Sequence, residues 1–202
     1  MSSDEMKALA FAVLVLAFTL PLRADILANG NFADGRAHWK GDAKEIDANA
    51  NNLTTGNPSG VTVTLKKDKW TKIYQTFNTH AKKVQYSITF TLSPDYQVQQ
   101  TTYNGSSGNM SGGTAGLDDI EGMPYLYGYS YRGAWLFVVR EFGTPGSTYL
   151  HPLPDPKKSG SQTLTGNIQG LTDTAEKILV LAFPPGEGSV TLTSISLTPD
   201  DQ

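Results

Sequence analysis

The chain has 202 residues, 16 Lys and Arg against 19 Asp and Glu, and a formal net charge of −3. This balance argues against a nucleic-acid-binding protein, which would carry a basic patch, so no nucleic-acid partner is expected. The sequence contains no cysteine, which excludes disulfides, thiolate metal sites and cysteine nucleophiles. The many Thr, Ser and Tyr residues, with few helix formers, favour β structure.

The first 24 residues differ from the rest of the chain. Lys7 precedes an apolar run from Ala8 to Leu20, and the small residue Ala24 follows. A basic residue, an apolar run and a small residue form the pattern of a secretory signal peptide. We therefore expect cleavage after Ala24, which leaves a secreted or periplasmic domain, residues 25–202, without membrane contact. An uncleaved membrane anchor and a buried core helix are the alternatives.

Short stretches in which apolar and polar residues alternate, or in which apolar residues are continuous, predict β-strands along the remaining chain. The predicted strands lie near residues 61–65, 73–77, 84–92, 134–139, 164–171, 178–183 and 190–197. The run AWLFVV at 134–139 has no polar member, which predicts a strand buried on both faces. Many short strands without a long helix predict an all-β domain, either a sandwich or a closed barrel.

Residues 93–133 form an insertion that is too long for an ordinary connection between strands. Tyrosines alternate near its end, and in an extended segment such residues share one face. A tyrosine ring offers an apolar face and a polar hydroxyl, so we predict a glycan or protein contact surface here, with packing into the sandwich or over its edge as the alternative. The predicted ligand-binding residues are Tyr125, Tyr127, Tyr129, Tyr131 and Trp135, and the nearby Tyr96 and Tyr103 are candidates to join them.

No catalytic residue is predicted. Asp118, Asp119 and Glu121 cluster in the insertion, and a Gly-rich loop gives such carboxylates no rigid placement. They are interpreted as a solvated loop. The three histidines, at 38, 80 and 151, match no local metal-binding spacing and are interpreted as exposed loop residues.

Three segments resemble secreted jelly-roll carbohydrate-binding modules. The stretch ILANGNFADGRAHWKGD is similar to their opening, with an Asn-Gly-x-Phe followed by a Gly and a Trp. The stretch WTKIYQTFNTHAKKVQYSITF resembles their pair of central strands, and EKILVLAFPPGEGSVTLTSISL resembles their last two strands. The matching positions of the opening are Asn29, Gly30, Phe32, Gly35 and Trp39.

This resemblance implies a galactose-binding-like jelly-roll β-sandwich, similar to carbohydrate-binding families four, nine and twenty-two. Members of the family usually carry an Asp near the final strand that helps to bind a structural calcium, and residues 193–196 contain no carboxylate here. Asn31 and Asp34 remain candidate calcium ligands, since calcium prefers oxygen donors. The alternative is that these two residues only form a turn. No other cofactor is expected.

The sequence therefore predicts a secreted, non-catalytic protein similar to a carbohydrate-binding module, which recognises a glycan through an aromatic-lined surface. An envelope structural or assembly protein that makes protein–protein contacts is the main alternative. A polysaccharide-acting enzyme is a weaker alternative. The expected partner is accordingly a carbohydrate or an envelope protein.

Overall fold

The computed structural model describes residues 24–41, 43–45, 60–99, 132–141, 148–150 and 152–200. All regular elements in these ranges are β-strands, and none of the described segments is an apolar helix long enough to cross a membrane. The strands are β1 (Lys40–Gly41), β2 (Ala43–Glu45), β3 (Val61–Thr64), β4 (Thr71–Asn78), β5 (Lys83–Leu92), β6 (Gln97–Val98), β7 (Leu136–Glu141), β8 (Thr148–Leu150), β9 (Ser161–Gln169), β10 (Glu176–Phe183), β11 (Gly186–Glu187) and β12 (Ser189–Pro199).

The strands form two five-stranded antiparallel sheets. The first sheet has the order β1-β4-β10-β7-β8, and the second has the order β2-β3-β12-β5-β9. A two-stranded ribbon, β11-β6, is the third sheet. The chain crosses repeatedly from one five-stranded sheet to the other, for example from β3 to β4 and on to β5. This crossing pattern is that of a jelly-roll sandwich.

The main core lies between the two sheets. In β5 the predicted alternation is confirmed: Val84, Ile88 and Phe90 are fully buried, whereas Gln85 between them is exposed. The strands predicted near residues 61–65, 73–77, 84–92, 134–139, 164–171, 178–183 and 190–197 correspond to β3, β4, β5, β7, β9, β10 and β12. The register of β10 with β4 is continuous over eight residue pairs, so these two long strands form the centre of the first sheet.

The outer face of the first sheet carries a second, smaller apolar cluster. Leu136 and Val138 in β7 alternate with the core residues Phe137 and Val139, and all four are at most 1% exposed. The prediction of a strand buried on both faces is therefore confirmed for β7. The outer cluster consists of Trp70, Leu136, Val138, Ile178, Val180 and Ala182, with Tyr74 packed against it.

The outer face of the second sheet is polar along its three longest strands, and apart from Lys83 at the start of β5 these strands carry no charged residue. Hydroxyl groups of neighbouring strands contact each other: Thr62 Oγ1 lies 3.1 Å from Thr191 Oγ1, and Thr89 Oγ1 lies 3.1 Å from Thr163 Oγ1. The two sheets thus differ in what their outer faces present, since one is apolar and buried and the other carries Thr, Ser, Asn and Gln.

Candidate functional site

The opening motif forms a compact loop before the sandwich. The Asn29 side chain donates hydrogen bonds to the carbonyl oxygens of Gly35 and Ala37, at 3.0 Å each, and accepts one from the Asp34 amide at 3.1 Å. Asn29 itself has a φ of 51°, in the left-handed region that asparagine tolerates better than most residues. The asparagine of the motif is therefore a loop-forming residue.

The other motif residues attach this loop to the sandwich. A Cβ atom at Gly30 would lie 2.2 Å from the carbonyl oxygen of Ile195 in β12, so only glycine fits. The Phe32 and Trp39 rings are buried, with their centroids 5.4 Å apart. Trp39 Nε1 donates to the carbonyl oxygen of Asn29 at 3.1 Å. The resemblance to carbohydrate-binding modules thus rests on residues that build the fold and do not form a ligand site.

The buried Gln75 of β4 forms hydrogen bonds with the backbone at the start of this opening loop. Its Oε1 accepts from the Ala28 amide at 2.8 Å, and its Nε2 donates to the Ala28 carbonyl at 2.9 Å. Gln75 is 3% exposed, so both of its polar atoms find partners inside the protein. The sequence alone gave no signal for this contact, because the two residues lie 47 positions apart.

The two candidate calcium ligands lie on the exposed side of the same loop. Asn31 Oδ1 accepts a hydrogen bond from the Ala33 amide at 3.1 Å, as in an Asx turn. Asp34 is exposed, and its carbonyl oxygen accepts from the Ala37 amide at 3.2 Å. Within the ranges that the structure describes, no three His, Cys, Asp or Glu side chains come together as metal ligands.

Four of the five predicted ligand-binding residues lie outside the described residues. These are Tyr125, Tyr127, Tyr129 and Tyr131, and the carboxylates Asp118, Asp119 and Glu121 lie outside them too. The described chain resumes at Arg132 and Gly133, whose φ angles of 55° and 79° are both left-handed. This turn leads directly into Trp135 and β7.

Trp135, the fifth predicted residue, belongs to the core, and its assignment to a contact surface was wrong. Its ring packs edge-on against Phe90 and Phe183, with centroid distances of 4.6 and 4.8 Å, and it is fully buried. A continuous apolar run places successive side chains on opposite faces that are both buried, so no member of this run contacts solvent. The sequence pattern predicted that burial, and the tryptophan follows it.

Tyr96 is also a core residue and does not extend the predicted surface. Its hydroxyl oxygen accepts a hydrogen bond from Trp135 Nε1 at 2.9 Å. Burial raises the pKa of Tyr96 to about 12, and the hydrogen bond from Trp135 offsets part of that increase. The first residues of the predicted insertion are thus part of the sandwich, because the Tyr96 ring and β6 are packed against it.

The described surface offers no aromatic platform. Leu153 is its one exposed large hydrophobic residue, at 53% exposure. The buried cation Lys177 offers no accessible site either, since its Nζ donates to the carbonyl oxygens of Thr79 and Thr174 inside the protein. Burial lowers the pKa of Lys177, while the nearby carboxylates of Glu141 and Asp173 raise it.

No protein family model and no curated protein matches the sequence. Several solved structures share its fold. An arabinose-bound GH51 α-L-arabinofuranosidase has a TM-score of 0.52 and 11% identity, over 91% of this chain and 27% of that one. The tandem CBM22 domain of Xyn10C from Paenibacillus barcinonensis has a TM-score of 0.50 and 10% identity, over 89% of this chain and 46% of that one.

A CBM61 module in complex with β-1,4-galactotriose has a TM-score of 0.47 and 12% identity, over 88% of this chain and 99% of that chain. The chain spans about a quarter of the arabinofuranosidase and under half of the tandem domain. At such identities the likeness concerns the fold alone. The predicted fold, an all-β jelly-roll sandwich of the kind found in carbohydrate-binding modules, is confirmed.

Proposed function

We propose that this protein is a secreted, non-catalytic carbohydrate-binding protein. Its fold is shared with a tandem CBM22 domain, and a fold shared with binding modules makes glycan recognition the first function to test. The stretch that contains Tyr125, Tyr127, Tyr129 and Tyr131 supplies the aromatic surface of this proposal, and its partner is a polysaccharide.

One observation supports this location above others. Stacking on a sugar ring needs an accessible aromatic face, and every described aromatic side chain is at least partly buried. The outer face of the first sheet is buried over its apolar cluster, and the described side chains on the outer face of the second sheet include no aromatic ring. Among the aromatic residues whose side chains lie outside the described part of the structure, the alternating tyrosines at 125–131 form the longest regular stretch and are therefore the first candidates for stacking.

Affinity electrophoresis of residues 25–202 tests the proposal, with xylan, β-1,4-galactan and arabinan among the polysaccharides in the gels. We expect retardation by at least one polysaccharide. Loss of one stacking ring should weaken binding roughly tenfold, which corresponds to about 1.4 kcal/mol. Tyr127→Ala and Tyr129→Ala are the test variants.

Leu153→Ala is the matched control, because it removes the exposed hydrophobic residue of the described surface without touching a ring. Binding by this variant should equal that of the parent protein. If no polysaccharide retards the protein, or if the tyrosine variants bind as well as the parent, the glycan proposal is wrong.

Secretion is part of the same proposal. Cleavage after Ala24 makes Asp25 the first residue, and its Oδ1 accepts hydrogen bonds from the amides of Leu27 at 2.9 Å and Leu197 at 3.1 Å. The proposed cleavage therefore retains both of these hydrogen bonds. The intact mass of the exported protein should correspond to residues 25–202, and a mass that includes residues 1–24 would contradict this.

A further inference from the structure

Among the strands that the structure describes, β9 is the long edge strand of the second sheet. It has nine residues, whereas the other edge strands of the two large sheets, β1, β2 and β8, have two or three. Natural proteins guard long edges with Lys, Pro or β-bulges. The sequence of β9, SQTLTGNIQ, contains no charge and no proline, and its register with β5 is unbroken from Ser161 to Gln169.

The hydrogen bonds of β5 reveal which backbone groups of β9 face outward. The carbonyl oxygen of Lys83 accepts from the Asp200 amide at 2.8 Å, and that of Thr89 accepts from Thr193 Oγ1 at 3.2 Å. Thr193 belongs to β12 and Asp200 follows it, so the odd-numbered residues of β5 direct their N–H and C=O groups towards β12. The carbonyl oxygen of Lys82 accepts a hydrogen bond from the amide of Leu171, which follows β9. The even-numbered residues of β5 therefore direct their N–H and C=O groups towards β9.

The pairing register of β5 with β9 shows which backbone N–H and C=O groups of β9 point towards β5. Even-numbered β5 residues lie opposite even-numbered β9 residues, for example Tyr86 opposite Gly166, so the even positions of β9 bond to β5. In an antiparallel pair the next residues direct their N–H and C=O groups away from the partner strand. The outward-facing residues therefore include Thr163, Thr165 and Asn167, all exposed. Within the described chain no strand pairs with this edge.

We propose that β9 pairs antiparallel with β9 of a second copy of this chain, about a twofold axis at Thr165. In this register Thr163 lies opposite Asn167 of the partner subunit, and Thr165 lies opposite itself. The outward-facing Thr163, Thr165 and Asn167 then meet in hydrogen-bonded pairs, as an antiparallel ladder requires. Because the strand is uncharged, the symmetric pairing brings no like charges together.

Side chains on the core-facing side of the strand favour the same register. The Tyr86 ring covers Gly166, since a Cβ atom there would lie 2.6 Å from Tyr86 Cε1. Leu164 is only partly buried against the core. Pairing about Thr165 puts Leu164 of the partner subunit opposite Gly166, where it contacts the edge of the Tyr86 ring. The two cores thus become continuous across the axis.

Sedimentation velocity of residues 25–202 over a range of concentrations tests the proposal, which does not depend on glycan binding. We expect a reversible monomer–dimer equilibrium. Thr165→Pro deletes an outward-facing N–H and no hydrogen bond to β5, and proline is tolerated at such edge positions. Two lost hydrogen bonds per dimer should raise the dissociation constant at least about tenfold. Thr165→Val keeps the backbone donor and should dimerise as the parent does.

Two variants with opposite charges at Thr165 test the position of the proposed twofold axis. They do not depend on proline, which can impair folding. Thr165→Lys and Thr165→Glu should each be monomeric, because like charges meet at the axis, and mixing them should restore a dimer. Thr191→Lys on the central strand of the same face should leave dimerisation unchanged. A parent protein that is monomeric at every concentration would overturn the proposal, as would dimers that survive both Thr165→Pro and Thr165→Lys.

Discussion

A single hydrogen bond inside the core links Trp135 to Tyr96. The indole N–H and the phenolic hydroxyl each need a partner once they are buried. The two residues satisfy each other at 2.9 Å. Tyr96 also precedes β6, so this bond fixes the start of the long insertion against β7.

Tyr96→Phe should destabilise the protein in a pH-dependent way. At neutral pH the variant leaves the Trp135 N–H unsatisfied, at a cost of about 1–3 kcal/mol. The pKa of Tyr96 is about 12 in the folded protein against 10 for the ordinary side chain. Below pH 10 Tyr96 is protonated in both the folded and the unfolded chain, and the stabilisation linked to its raised pKa is fully present. Between pH 10 and 12 the unfolded chain loses this proton while the folded protein keeps it, so the stabilisation is lost as the pH rises.

Urea unfolding of the parent and the variant below pH 10 and again between pH 10 and 12 measures this effect. The difference in unfolding free energy should shrink by roughly 2 kcal/mol across the window. Lys177, whose pKa burial lowers, is present in both proteins, so its contribution cancels in the difference. In a Trp135→Phe background the same substitution should cost less. A difference that is constant with pH would contradict the assigned role.

Among the elements, the strands that the sequence predicted are the ones long enough to show a period. The ten residues of β5 contain five alternations, and its inward and outward faces follow them. The strands β1, β6 and β11 have two residues each, which is too short for any period. They pair because a neighbouring long strand offers backbone groups, and that pairing depends on tertiary structure.

Two assignments at the element scale depend on contacts between distant residues, which a sequence pattern does not predict. The run 134–139 predicts burial on both faces. An aromatic residue near a tyrosine stretch instead suggests a surface, which is why Trp135 is among the predicted ligand contacts. Its burial follows from Phe90 and Phe183, which lie 45 and 48 positions away along the chain. Conversely, the opening motif was found by resemblance, and the contacts of Asn29 and Gly30 supply its physical reason.

At the scale of the whole molecule, the two large sheets divide the surface by chemistry. The first sheet has the main core on one face and a second apolar cluster on part of the other. The second sheet is amphipathic, and within the described chain it ends at β9. The proposed glycan contact at 125–131 and the proposed dimer edge on β9 use different residues, so the two proposals are compatible in one molecule.

The thermal stability of the whole domain should not depend on calcium. Asn31 Oδ1 already accepts a hydrogen bond from the Ala33 amide, and Asp34 lies exposed on the same turn. Calcium normally requires about six to eight oxygen ligands. A chain of this size without disulfides can stabilise itself through its core alone. We therefore propose that the two residues form a turn only, and expect equal melting temperatures in EDTA and in calcium chloride.

Differential scanning calorimetry of residues 25–202 in the two solutions makes the comparison. Calcium present at about 100 times its dissociation constant would add about 2.7 kcal/mol, which raises the melting temperature by roughly 5–10 °C in a domain of this size. If such a rise occurs and Asp34→Ala abolishes it, Asp34 is a calcium ligand and the turn is a metal site. If the rise survives both Asn31→Ala and Asp34→Ala, calcium binds elsewhere in the chain.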